Sequence, residues 1–395
     1  MIPAAASSVP RANSEQPSAS TQPSAPARGF FEQKFPVWII LTTLIVVTLP
    51  LAGALVWTNS HRLLSLYIWI FSSTHFVLTF TVYLQSENLR YFTATKRNAI
   101  LFFLIPMGIF GIFYGMSVLR VNPRFPAAGL AFGAVVRLLD FNHFNRQSFG
   151  VYQLFKARTG LRPPPVCKKI ENAYFLCLTG LLFVTFLAGG ISPWIPRGQL
   201  TSIAGTAFGA PWAPLPLLRG AAAGIASIAA ILLAAGVTIL LKAWRAGGRR
   251  SGLWESLAYL FFQTLSAALA IAFFPLYAAA LAMHYTEYHV LMYPRCFYSR
   301  LDPTRTVDHW YQSLRGSRAR FYGLLAIVSG LVTFFTTLSA SSGGGAPYLA
   351  FVAVFDGIFV CHYFIEMLIW KFSDPFFRQT AASLYFAPRS RASSS

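Results

Sequence analysis

The chain has 395 residues, of which 55% are apolar and 16% aromatic while only 11% are charged, against roughly 25% charged in an ordinary soluble domain. That balance excludes a water-soluble enzyme. The 32 Lys and Arg outnumber the 12 Asp and Glu for a formal net charge of +20, yet they are scattered over many short connecting segments, which excludes the single basic face of a nucleic-acid binder.

In chain order, residues 1–34 are rich in Ala, Ser, Pro and Gln and read as a disordered tail with no signal-peptide core. Residues 35–375 read as a single transmembrane helical domain, and 376–395 as a short polar tail. Ten apolar spans are each long enough to cross about 30 Å of hydrocarbon. They fall at approximately 36–57, 63–84, 98–119, 126–148, 172–189, 218–241, 253–273, 276–294, 321–338 and 348–370. The expected fold is therefore all-α, a polytopic transmembrane helix bundle.

Basic residues set the orientation, because cytoplasmic connections collect Lys and Arg. Placing the N-terminal tail inside puts Arg90, Lys96 and Arg97 there, then Lys156, Arg158, Arg162, Lys168 and Lys169, then Lys242, Arg245, Arg249 and Arg250, then the run from Arg295 to Arg320. Outside connections are nearly uncharged, so both termini are expected to be cytoplasmic in a multi-pass protein of a bacterial inner membrane. Spans seven and eight meet at Pro275 with no polar loop, and their basic flanks favour a hairpin over one kinked helix. The Pro- and Trp-rich segment 190–217 reads as interfacial. Ser299 to Arg320 reads as an amphipathic surface against anionic lipid. The cysteines, Cys167, Cys177, Cys296 and Cys361, form no CxxC pair and read as free thiols.

Four acidic residues, Asp140, Glu287, Asp356 and Glu366, fall well inside spans, more than two residues from either end, where an unpaired carboxylate costs several kcal/mol. So do five of the seven histidines, His75, His143, His284, His289 and His362. Asp140 and His143 are i,i+3, His284 and Glu287 are i,i+3, and His362 and Glu366 are i,i+4, so each pair shares one helix face. Such pairs ligate metals in di-iron bundles. The spans carrying His75, His143, His284 and His362 all run in the same direction, which brings these residues to similar depth. The expected metal ligands are His75, Asp140, His143, His284, Glu287, His362 and Glu366, with Glu287 and Glu366 the candidates for catalytic work. Mixed imidazole and carboxylate donors suit non-haem iron, mono- or dinuclear, and equally zinc, manganese or copper. Two facing histidines can also ligate haem. The plain alternative is that each histidine hydrogen-bonds a neighbouring helix. Asp356 is out of step with His362, His289 lies nearer the inner interface, His61 is in an outer loop, His309 is solvated, and Arg137 and Arg146 read as structural.

At His75, His143, His284 and His362 the chain resembles the multi-histidine membrane non-haem iron proteins and is similar to the Brp/Blh-type carotene dioxygenases. The resemblance implies iron among transmembrane helices, a greasy substrate and a non-haem oxygenase or oxidase. The HxxxH and HxxHH boxes of membrane desaturases are absent. The expected partners are a membrane lipid, isoprenoid or other apolar small molecule and a separate redox protein, with no nucleic acid. The other readings are a proton-coupled transporter or channel using the buried His, Asp and Glu, and a bis-His haem electron carrier.

Overall fold

The structure, a computed structural model, describes residues 39–40, 44, 48–49, 68–120, 126–158, 163–190, 193, 213–246, 250–302, 304–341, 346–381 and 384–385. Most of the first expected span, His61, the bulk of segment 190–217, the N-terminal tail 1–34 and more than half of the C-terminal tail lie outside these residues. Among the described residues the fold is all-helical, with no strand.

The helices are α1 (Thr74–Phe80), α2 (Ser86–Thr93), α3 (Lys96–Ala99), α4 (Ile105–Arg120), α5 (Pro126–Arg158), α6 (Pro165–Leu187), α7 (Leu215–Arg245), α8 (Arg250–Ala272), α9 (Tyr277–Tyr298), α10 (Thr306–Arg315), α11 (Arg318–Ser341), α12 (Ala346–Ile369) and α13 (Pro375–Thr380). Among the described residues, four stretches are long and apolar enough to cross a membrane: Lys96–Leu119, Pro165–Leu187, Leu215–Arg245 and Leu253–Ala272. They correspond to the third, fifth, sixth and seventh expected spans. Their outward side chains are large and apolar, such as Met107 at 72% and Ile231 at 68% exposure, a surface suited to hydrocarbon.

Several boundaries differ from the sequence reading for identifiable reasons. α6 starts seven residues early because Pro165 occupies its first turn, where a missing N–H is harmless. It ends in a Schellman motif: Gly189 and Gly190, both at φ 81°, donate to the carbonyls of Phe186 and Thr185. α5 runs for 33 residues, about 50 Å, so its last turns extend beyond the expected span. Lys156, expected in an exposed connection, is therefore helical and buried, and it pairs with Glu171 of α6. Gln153 and the Cys167 thiol also donate to that carboxylate, at 3.0 and 3.3 Å.

The segment that carries His75 is less regular than a simple span. A π-helical turn, Ile68–Ser73, leads into α1, and a 3-10 turn, Thr81–Leu84, follows it. The hydroxyls of Thr74 and Thr81 donate back to the carbonyls of Phe71 and Leu78, and that of Thr79 lies 3.3 Å from the His75 carbonyl, a pattern that bends helices. α8 and α9 are separate helices broken at Phe273–Leu276, and Tyr259 of α8 lies beside Glu287 of α9. In one continuous helix those residues would be about 40 Å apart, so the pair is a hairpin.

Two apolar clusters flank α9. One gathers Phe141, Phe144, Phe175, Leu182, Tyr259 and Met283 from α5, α6, α8 and α9. The other gathers Leu78, Phe92, Tyr288, Phe321, Ile365 and Phe377 from α1, α2, α9, α11, α12 and α13. Fifteen of the 22 residues of α9 are buried, which makes it the central helix of the described fold. α4 and α12 are in close contact at Gly357, where an added Cβ would stand 2.7 Å from the Phe110 ring and 3.0 Å from its carbonyl oxygen.

The segment expected to be a lipid-contacting surface has a buried anchor. Asp308 of α10 accepts from the Ser86 N–H (2.7 Å), the Ser86 hydroxyl (2.6 Å) and the Asp302 N–H (2.7 Å), tying α10 to the first turn of α2. Burial alone would raise the Asp308 carboxyl, but these donors outweigh it and hold it below the usual carboxylate range. A depressed carboxyl contributes stability above its unfolded value and loses it as pH falls through the lowered one.

Two outcomes follow for thermal unfolding of detergent-purified protein. Gly357→Ala should lower stability by about 1–3 kcal/mol, whereas Gly108→Ala, with nothing within 4 Å of its added Cβ, should not. Asp308→Asn should be less stable than wild type at neutral pH, and the difference should disappear as the solution becomes acid enough to protonate Asp308.

Candidate metal centre

α1, α5 and α12 each bring an imidazole to one place. His75, His143 and His362 are 0%, 8% and 0% exposed, and Glu366 reaches the same point one turn beyond His362. One ligand atom from each of these four lies within 4.8 Å of every other. The carboxylate bridges helices: Glu366 Oε1 is 3.3 Å from His75 Nε2, and Oε2 is 3.4 Å from His143 Nε2. Neither approach completes a hydrogen bond. His75 Nδ1 and Nε2, His143 Nε2 and both ring nitrogens of His362 are buried without hydrogen-bond partners. Orphaned buried nitrogens are costly, and here two of them, His75 Nε2 and His143 Nε2, face a common carboxylate with one His362 nitrogen close by, which is the arrangement a cation would satisfy. First-row ions bind such ligands at about 2.0–2.2 Å, so opposite donors sit about 4.2 Å apart. The observed spread needs only a small inward movement.

His284 of α9 packs against this group. Its ring centroid is 4.9 Å from those of His75 and His143, while His362 is 5.1 Å from the same two rings. His75 and His143 are themselves 6.1 Å apart. Two imidazoles thus flank the space between the other two.

Surrounding side chains hold the donors in place. The Thr79 hydroxyl donates to Glu366 Oε1 at 2.8 Å and is 2.8 Å from the Tyr288 hydroxyl. The Tyr288 ring lies 4.1 Å from His75. The Tyr363 ring stacks on His143 at 4.0 Å and 23°, while its hydroxyl donates to Asp140 Oδ1 at 2.8 Å. Phe76 and Phe359 wall His362 at 4.4 and 5.6 Å.

Of the seven residues expected to ligate, the structure groups His75, His143, His362 and Glu366, sets His284 against them, and turns two elsewhere. Asp140 accepts from Arg137 (3.3 Å) and Tyr363, so it supports His143 through the tyrosine ring. Glu287 points toward α8 and α5, beside Tyr259 and Gln147. The Gln147 amide donates to the His284 carbonyl at 2.9 Å. Asp356 accepts from Ser117 of α4 at 2.5 Å. His289 lies 3.0 Å from the Thr74 hydroxyl. Arg146 donates to Asn172, and His309 is exposed. Thr79 went unrecognised in the sequence, although its i+4 offset from His75 was the available signal. A cavity of about 400 Å³ between α6, α7 and α8, lined by Tyr174, Leu178, Ala229, Thr264 and Ile271, includes none of the grouped residues.

Compared with known protein families, curated proteins and solved structures, the chain finds no match in any of the three.

The support given to Asp140 is open to direct measurement. Tyr363→Phe keeps the ring on His143 and removes the 2.8 Å hydroxyl hydrogen bond to Asp140, so chemical denaturation should show a loss of about 1–3 kcal/mol.

Proposed function

We propose that the chain is a multi-pass integral membrane metalloprotein whose His75, His143, His362 and Glu366 hold non-haem iron and whose reaction is the oxidation of a lipid or isoprenoid. The observation that carries this reading is the convergence of four buried donors from three helices, with the orphaned Nε2 atoms of His75 and His143 within 3.4 Å of one carboxylate. Three imidazoles and one carboxylate leave open positions on a first-row ion, the donor set used for oxygen chemistry. Iron so held would supply binding and activation of dioxygen. The chain's own part is to fix the donors through Thr79 and the stacked Tyr363, to exclude water, and to present an aromatic wall from Phe76 and Phe359 to an apolar chain.

The ten-span count with both termini cytoplasmic, and a bacterial inner membrane as the setting, belong to the same proposal. They are supported by the four membrane-length helices and by the basic connecting segments. His284 is the fifth donor held in reserve, and a separate redox protein would provide electrons. Zinc fits the same donors and would make the chemistry hydrolytic, so identification of the metal separates the two.

The test is metal analysis of the detergent-purified full chain together with its absorption spectrum. Near-stoichiometric iron without a Soret band is the expected result. His143→Ala and His362→Ala should lose metal while the protein stays folded, and Thr79→Val should weaken retention about 10–100-fold through its effect on Glu366. Unchanged metal content in both histidine variants overturns the assignment. A Soret band transfers it to haem.

A further inference from the structure

The buried carboxylates of this fold are almost all provided for. Asp140 has Tyr363 and Arg137, Glu366 has Thr79, Glu171 has Lys156 and Gln153, Asp308 has Ser86 and the Asp302 N–H, and Asp356 has Ser117. Glu287 is the exception. It is 0% exposed, and neither of its carboxyl oxygens has a hydrogen-bond partner.

Its surroundings are polar but uncharged. Tyr259 approaches from α8 and Gln147 from α5, without closing a hydrogen bond. Ser148 of α5 stands beside Tyr259. The Tyr259 hydroxyl and Gln147 Oε1 are also buried without partners, as are both amide atoms of Gln263, one turn further along α8. No Lys or Arg among the described residues acts on Glu287. α1 and the π-helical turn before it meet α9 through other contacts, Thr74 with His289 and Thr79 with Tyr288. The titratable groups near Glu287 are therefore Tyr259, across the hairpin, and His284, one turn earlier on α9.

We propose that Glu287, Tyr259 and Gln147 form a second site, separate from the imidazole cluster, that takes up one monovalent cation from the aqueous phase, either a sodium ion or a proton. An ionised carboxylate without a counter-charge is too costly to bury in an apolar interior, and no side chain here supplies that charge. The available donors are all oxygens, namely carboxylate, phenol and amide carbonyl, a hard set suited to alkali and alkaline-earth ions. One carboxylate among neutral oxygens is balanced by a single positive charge, whereas a divalent ion would leave an excess. The i,i+3 offset from His284 places this charge one turn of α9 from the imidazoles. The site does not depend on the imidazole cluster holding iron.

Thermal unfolding of the full-length, detergent-purified protein decides the matter, with metal content measured on the same samples. Wild type and Glu287→Gln are compared in choline chloride, sodium chloride and potassium chloride at constant ionic strength, and across neutral to alkaline pH. A sodium site raises the wild-type Tm by about 1–2 °C per tenfold sodium above its Kd, and Glu287→Gln abolishes the response. A proton site gives no sodium response. Instead, the wild-type Tm falls relative to Glu287→Gln as pH rises, because a carboxyl folded with its proton loses stability when it must ionise.

A difference between the two proteins that is constant over all salts and pH values overturns the proposal. If Glu287→Gln does not fold, Tyr259→Phe takes its place. Weaker sodium dependence or a displaced pH midpoint then supports the site, and titrations identical to wild type overturn it. Because bound metal is read in parallel, loss of the cation response with metal retained concerns Glu287 alone. Absence of metal with the response intact concerns the imidazole cluster alone.

Discussion

The carboxylate of Glu366 is the point on which the centre of the fold depends. It is buried on α12, its oxygens lie 3.3 and 3.4 Å from nitrogens of His75 on α1 and His143 on α5, and it is held by Thr79. In an apolar interior neither an isolated carboxylate nor an isolated imidazole is tolerated without a partner. The three helices therefore approach one another at this height, and the aromatic rings of Tyr288, Tyr363 and Phe76 fill the space around the polar group. The buried acid on α5, Asp140, extends the arrangement by holding Tyr363 flat against His143.

Much of this centre was legible from spacing. His362 and Glu366, one turn apart, do reach a single point, and His75 and His143 meet them there. Spacing along one helix was silent about which carboxylates would join. An i,i+3 pair spreads its side chains by about 60° around the axis, enough for the neighbouring helix to decide where each goes. Asp140 was drawn to Arg137 and Tyr363, and Glu287 faced α8. Thr79 left no clear trace because hydroxyls on helices commonly bond their own backbone, and that of Thr79 also lies 3.3 Å from the His75 carbonyl. The irregular entry to α1 was equally invisible, since a π-helical turn has the same apolar composition as a regular one. The break between α8 and α9, by contrast, was written in the sequence, because Pro275 cannot donate an N–H to continue a helix.

α9 gives the described fold its two-sided character. One face joins the cluster built on α5, α6 and α8, and another joins the cluster built on α1, α11 and α12. Small residues in its first half, Ala279, Ala280 and Ala282, are nearly inaccessible, which lets neighbouring backbones come close enough to bury polar groups on either side. His284 and Glu287 leave the helix from adjacent positions yet enter different environments, one of imidazoles and one of neutral oxygens. The same helix thus separates two kinds of buried polarity while keeping them one turn apart.

The separation along the chain of the groups that meet at Glu366 bears on how the protein is made. Thr79 and Glu366 are 287 residues apart, so nearly the whole chain leaves the ribosome before the carboxylate meets its first partner. During synthesis His75 and His143 are present, and can already pack against His284 of α9, without the acid that later faces them. The imidazole cluster is consequently a late checkpoint of biogenesis. A chain truncated before α12 can pack α5 on α6 and α1 on α9, yet it lacks the acid that draws α1 and α5 to one point.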